Sequence, residues 1–146
     1  MSKRRKRILD APPTEVVIES LTHDGRGLTH VDGKAVFVFG ALPGERILMR
    51  LTQRQRRYDE ATVVEVLEAS PQRVEPRCES FGRCGGCSLQ HLAPEAQIAA
   101  KQEILTDVLR RIGGLAPERW LSPLTGAHWG YRRKARLGVR WVEDVV

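Results

Sequence analysis

Between residues 14 and 68 the chain is cut into short apolar, β-branched runs by turn signals, and this punctuation constrains the fold more than any other feature. Val16–Leu21 is the first run, and His23-Asp24-Gly25-Arg26-Gly27 breaks it. Asp32-Gly33, set between Val31 and Lys34, is a two-residue hairpin signal, because tight hairpin turns need positive φ at their central residues. Ala35–Phe39 follows, and then Leu42-Pro43-Gly44 places proline and glycine where a type II turn wants them. Arg46–Thr52 alternates, with Ile47, Met49 and Leu51 on one face and Arg46, Leu48 and Arg50 on the other. Gln53–Arg57 is a polar, basic loop, and Tyr58–Leu67 supplies a fifth strand. Five strands in some 55 residues predict a small OB-like barrel over residues 12–68.

Ala69–Arg77, with Pro71 and Pro76, has the composition of a linker. Pro94–Ile112 reads as the one helix: Pro94 suits its first position and Gly113-Gly114 its end. Its apolar stripe is Ile98, Leu105, Val108, Leu109 and Ile112. Arg132–Val142 alternates as a strand, with Ala135, Leu137, Val139 and Trp141 opposite Arg132, Lys134, Arg136 and Arg140. An alternating strand that ends at Val145-Val146 with nothing to pair against suggests a shortened chain. Residues 78–146 would then hold a cysteine loop, the helix and the start of an incomplete second domain of α+β class, and residues 1–11 a basic tail.

Three cysteines, Cys78, Cys84 and Cys87, lie in that loop with the spacing C-x5-C-x2-C and are the only ones in the chain. Structural disulfides come in pairs and in oxidising compartments, and Met1–Arg7 is not followed by a signal-peptide apolar segment, so reduced thiols are expected. Crowded thiolates repel one another unless a cation sits among them. Three readings of the loop stay open on the residues alone. His91, four residues after Cys87, would close a Cys3His zinc site. A distant fourth ligand would complete an iron–sulfur cluster, and Gly85-Gly86 favour this because small residues let backbone N–H groups reach cluster sulfurs. A radical S-adenosylmethionine cluster resembles C-x3-C-x2-C, and here the first gap is five. A catalytic thiol needs a base and positive surroundings, whereas three thiols around Gly-Gly look like ligands.

The net charge of +6 is unevenly placed. Residues 1–7 hold five basic groups and residues 131–140 another five, while residues 8–70 hold seven basic against ten acidic. A polyanion would therefore meet two basic stretches and not a uniformly basic surface. Arg132, Arg133, Lys134, Arg136 and Arg140 are candidates for phosphate contact, with Trp129 and Tyr131 available to stack on unpaired bases. Arg54, Arg56 and Arg57 form a second candidate, since loops of OB-like barrels touch oligonucleotides. Hydrophobic residues make up 41% of the chain, enough for a core, yet no apolar run approaches the roughly 18 residues that span a bilayer. A monomeric cytoplasmic protein with no membrane partner is expected.

The run Cys78-x5-Cys84-Gly85-Gly86-Cys87-Ser88-Leu89-Gln90-His91, followed by Trp129-Gly130-Tyr131-Arg132-Arg133-Lys134-Ala135-Arg136-Leu137, resembles the RNA uracil-C5 methyltransferase family, and in particular its members that act on 23S ribosomal RNA. The resemblance covers essentially the whole chain. It implies that residues 12–68 are a TRAM domain, an RNA-binding barrel. It also implies that Cys78, Cys84 and Cys87 ligate a 4Fe-4S cluster whose fourth cysteine lies downstream. The S-adenosylmethionine site, the nucleophile and the general base of that family would likewise lie beyond Val146, so these residues alone should not catalyse methyl transfer. The implied role is to grip ribosomal RNA. The competing readings are a stand-alone Cys3His zinc RNA-binding module and a TRAM-containing radical enzyme of transfer RNA modification.

Overall fold

The computed structural model describes residues 12–134. Six strands form one sheet: β1 (Thr14–Val17), β2 (Ser20–Leu21), β3 (Gly27–Val31), β4 (Lys34–Phe39), β5 (Arg46–Arg54) and β6 (Tyr58–Glu68), in the order β1-β5-β6-β4-β3-β2. A single helix, α1, spans Pro94–Arg111. Six strands appear where five were expected because the first run bends. β1 pairs with β5 and β2 with β3, and just Ile18 and Glu19 separate them. Ile18 donates its N–H to the Glu45 carbonyl at 2.9 Å, and Glu19 donates to Leu28 at 2.9 Å on the other side. One bent segment thus serves both edges of the sheet, which curls so that neither edge is left long and unpaired. The pairing is mixed and not wholly antiparallel. β5 crosses to the far side of the position next to β4, and β6 then fills that position, running parallel to β4 from Ala35↔Tyr58 to Phe39↔Thr62.

The turn chemistry is as expected. Asp32 and Gly33 take φ of 52° and 77°, and Gly44 takes 78° with the Glu45 N–H closing the turn onto the Leu42 carbonyl at 3.2 Å. Ile18, Val36, Val38, Ile47, Met49 and Ala61 are all 3% exposed or less and form the barrel core. Each large aliphatic member contributes about 1.5–3 kcal/mol by burial. Thr52 is buried as well, because a register shift between Leu51 and Gln53 turns the end of β5 over.

A second, smaller core joins the barrel to α1 and the turn before it. Leu42 from the β4–β5 connection packs with Leu92 and Ala96, and Leu21, Leu89, Ala93 and Ala100 surround them. The helix docks through these alanines, whose small side chains allow close approach. The expected stripe does not make the contact: Leu105 is 47%, Val108 38% and Ile112 83% exposed. Gln97 secures the start of α1 by donating Nε2–H to the carbonyls of Leu89 and Leu92 at 3.0 and 2.9 Å. Among the described residues no helix is long and apolar enough to cross a membrane. Residues 131–134 are irregular, and the rest of the strand expected over 132–142, with Arg136, Arg140 and Trp141, lies outside the described residues, as does the basic tail.

Candidate nucleic-acid interface and the cysteine loop

The segment carrying the cysteines is pinned to the barrel on both sides of the loop. Before it, Arg73 forms an isolated β-bridge with Leu92, and Val74 donates its N–H to the His91 carbonyl at 3.0 Å. The Arg73 guanidinium reaches into the barrel, where Nε and Nη2 donate to the two Glu45 carboxylate oxygens at 2.5 and 2.7 Å and Nη2 also reaches the Gly40 carbonyl at 2.7 Å. The Glu45 side chain is fully buried and accepts further bonds from the backbone N–H of Leu42 at 2.8 Å and Ser70 at 3.3 Å. Burial alone would raise its pKa, yet the Arg73 bonds and the two backbone donors outweigh that and hold it below its ordinary 4.5. On the other side, Gly25 in the β2–β3 turn has φ of 82°, and a Cβ placed there would lie 2.9 Å from Ser88 Cβ. Glycine is needed at this position both for the backbone and for the contact.

The cysteine loop itself is closed by backbone bonds, Phe81 N–H to the Cys78 carbonyl at 2.9 Å and Cys84 N–H to the Ser80 carbonyl at 3.0 Å. The side-chain oxygen of Gln90 accepts the Cys78 N–H at 3.2 Å. Cys78 is half-buried, and Cys84 and Cys87 are exposed free thiols. As a donor set, three soft thiols on one glycine-containing loop suit a thiolate-held metal or iron–sulfur centre. Their positions do not gather around one point: among the described residues no group of three His, Cys, Asp or Glu side chains is placed to hold a metal ion.

His91 does not join the cysteines as the zinc reading requires. It is 2% exposed, its ring lies 5.2 Å from that of Phe81, and neither ring nitrogen has a hydrogen-bond partner. Burial, and then the nearby Arg73 charge, push its pKa from 6.5 down to about 4 against a weaker opposing effect of Glu45. A neutral imidazole wedged between barrel and loop is what remains. Periodicity could not reveal this, since His91 sits in a turn.

Apart from the half-buried Arg50, the barrel's cations divide into two sets. Arg26 pairs with Asp24 and Glu60, Lys34 with Asp59, and Arg46 with Glu15 and Glu68. Arg54, Arg56 and Arg57 are exposed and, among the described residues, form no ion pair. Their loop is nonetheless fixed: Lys34 Nζ donates to the Gln55 carbonyl and to Asp59 Oδ1, both at 2.7 Å, and the Gln55 N–H donates to the Tyr58 carbonyl at 3.0 Å. The barrel is therefore net acidic in sequence while its unneutralised charge, at this loop, is positive.

The second group of expected contacts lies elsewhere. Arg132, Arg133 and Lys134 are exposed after α1, and Arg132 edges a groove of about 890 Å³. His23, Gly25, Cys87, Lys101, Trp129 and Tyr131 also line it, and the Arg77 guanidinium sits 5.2 Å from the centre of the Trp129 ring. None of Arg54, Arg56 and Arg57 reaches this groove.

The TRAM domain family matches residues 14–64, which run from the start of β1 into β6. A 23S rRNA (uracil(1939)-C(5))-methyltransferase RlmD from Alkalilimnicola ehrlichii is 54% identical over 139 residues, 95% of this chain and 31% of that protein. Proteins of the same description from Alcanivorax borkumensis and Xanthomonas euvesicatoria are 50% and 53% identical over 98% of the chain, and 32% and 33% of their own lengths are covered. The chain thus spans about a third of the length of the curated relatives it matches. Residues 14–64 thus match the TRAM domain family, and nearly the whole chain is similar to about a third of proteins described as 23S rRNA uracil-C5 methyltransferases.

Proposed function

We propose that this chain is the RNA-gripping portion of an S-adenosylmethionine-dependent methyltransferase that acts on uracil C5 in 23S ribosomal RNA. Methyl transfer itself would belong to the part of the relatives that the chain does not cover. The observation that carries the reading is the exposed, unpaired trio Arg54, Arg56 and Arg57 on a rigid loop of a TRAM barrel. Carboxylates neutralise most other barrel cations, so a phosphate backbone would be drawn to this loop. Arg132, Arg133 and Lys134, with Arg136 and Arg140 beyond them, would supply a second set of phosphate contacts.

Cys78, Cys84 and Cys87 would supply three thiolates to a 4Fe-4S cluster, with its fourth ligand contributed from outside these residues. Such a cluster would staple the loop and leave the RNA surfaces fixed relative to one another. The loop's chemistry supports this: the thiols are free, and His91 is withdrawn from them.

Fluorescence anisotropy with a labelled 23S rRNA fragment tests the RNA reading. The triple variant R54Q/R56Q/R57Q should bind more weakly and with a salt dependence shallower by about 2 in log–log slope, as loss of three single-strand phosphate contacts demands. An unchanged slope would remove the loop from the interface. Anaerobic reconstitution followed by iron and sulfide analysis tests the cluster. Iron with acid-labile sulfide, lost in C78S, C84S or C87S, supports it; one tightly held zinc and no sulfide overturns it.

A further inference from the structure

β4 alternates Val36 and Val38 inward, so Ala35, Phe37 and Phe39 must face out, and β6 sets Tyr58 and Glu60 beside them on the same outer surface. Phe37 and Tyr58 meet edge to face with ring centroids 5.3 Å apart. The Arg26 guanidinium lies over Phe37, 4.8 Å from the ring centre. All three of its nitrogens have a carboxylate partner: Nε and Nη2 each reach Asp24 at 2.8 Å, and Nη1 reaches Glu60 at 3.3 Å. Carboxylates therefore hold the guanidinium in place, one face rests on Phe37, and the opposite face is a planar π-surface. Tyr58 directly follows the Arg54–Arg57 loop whose backbone Lys34 locks.

We propose that Tyr58 and the Arg26–Phe37 stack form a platform on which the bases of an unpaired RNA strand stack, while Arg54, Arg56 and Arg57 hold the adjoining phosphates. The proposal rests on the RNA-binding reading and specifies where on the barrel, and which form of RNA. Bases of single strands stack on aromatic rings and on arginine planes, and stacking tolerates any sequence because every base has a π-face. A duplex hides those faces. The occupant is a polyanion and not an apolar protein segment because the strip ends in three unpaired cations on one rigid loop.

The test is anisotropy of a fluorescein-labelled twelve-residue oligouridine with the 146-residue chain across a salt series, paired with photocrosslinking of a 5-iodouridine version. Y58L should weaken binding by roughly 5- to 50-fold with the salt slope unchanged, because one base loses its stacking partner. Y58F, which keeps the ring, should stay within about twofold of wild type. F37L should weaken binding as well, and crosslinks should map to Tyr58 or its strand neighbours. Oligouridine binding that is indifferent to Y58L and F37L, with the slope still dependent on Arg54, Arg56 and Arg57, overturns the platform and leaves RNA binding standing. Crosslinks confined to residues 124–134 overturn it in the same way, and are readable even where a variant fails to fold. Equal competition by duplex RNA also overturns it. A wild-type chain that binds no RNA of either form sinks both readings together.

Discussion

His91 should give the fold a specific acid sensitivity. Its imidazole is 2% exposed with both ring nitrogens unpartnered, and its pKa is depressed from 6.5 to about 4. Between those values the unfolded chain binds a proton that the folded chain refuses, so stability rises with pH across the window. The contribution is complete above about pH 6.5 and is lost as pH falls toward 4. A depression of this size corresponds to about 3 kcal/mol in total, at about 1.4 kcal/mol for each pH unit. That is a large part of the roughly 5–15 kcal/mol that holds a domain folded. H91L is of similar volume and cannot titrate. Urea unfolding followed by circular dichroism at pH 7.5 and 4.5, with chelator present so that the thiols carry no metal, should show wild type losing about 2–3 kcal/mol more than H91L between the two pH values. Working above pH 4.5 limits interference from carboxylates, and the other described histidines, His23, His30 and His128, are exposed. Parallel stability curves for the two proteins would refute the reasoning and require a hydrogen-bond or metal partner for the ring in solution.

Three further outcomes are expected from the contacts between barrel and loop. E45A strands the Arg73 guanidinium and two backbone N–H groups, and should destabilise by about 3 kcal/mol in thermal or urea unfolding, whereas E45Q keeps one acceptor oxygen, and with it one of the two backbone bonds, and should cost less. Because the Glu45 pKa is held below 4.5, its contribution is present above that pH and falls away below it, so the difference between wild type and E45Q should shrink as pH drops under about 4.5 in the same unfolding assay. G25A forces a side chain into a backbone of φ 82° and against Ser88 at 2.9 Å, and should cost about 2–4 kcal/mol with faster proteolysis near Ser88.

The barrel was legible in the sequence where local chemistry decides structure. Asp32-Gly33 and Pro43-Gly44 specify their turns through backbone preference alone, and the alternation of β4 and β5 follows from one face being buried. What could not be read is whatever depends on partners distant in sequence. The bend at Ile18 exists because β5 and β3 claim the two halves of one run, and nothing in residues 16–21 announces that division. The helix stripe was misleading for a related reason. Periodicity identifies an apolar face, but Leu42 and Leu92 offer a contact that alanines fit more closely, so Ala96 is buried while Leu105 stays in water. Arg73 has linker composition around it, and its insertion toward Glu45 is a contact across 28 residues. The outward aromatic Phe37 was recoverable, since it alternates with Val36 and Val38; its significance needed Arg26 and Tyr58 beside it.

Charge shows why counting residues misjudges such a surface. Residues 8–70 carry more acid than base, which argues against a phosphate-binding barrel. Pairing changes what a ligand meets at each point of the surface. Asp24 and Glu60 are occupied with Arg26, Asp59 with Lys34, Glu15 and Glu68 with Arg46, and Glu45 is fully buried under Arg73. Each cation within 3.3 Å weakens the field of its carboxylates, although Arg26 and Arg46 each serve two carboxylates and so leave one negative charge in each cluster. The unpaired arginines at the β5–β6 loop are not cancelled in this way, so they set the near field at that loop although they are outnumbered over the barrel. The acidic residues have a second use: they hold Arg26 and Lys34 still, and so fix the stacking plane and the loop before RNA arrives. Preorganisation of that kind lowers the ordering cost of binding, which is how a net-acidic barrel can hold a polyanion.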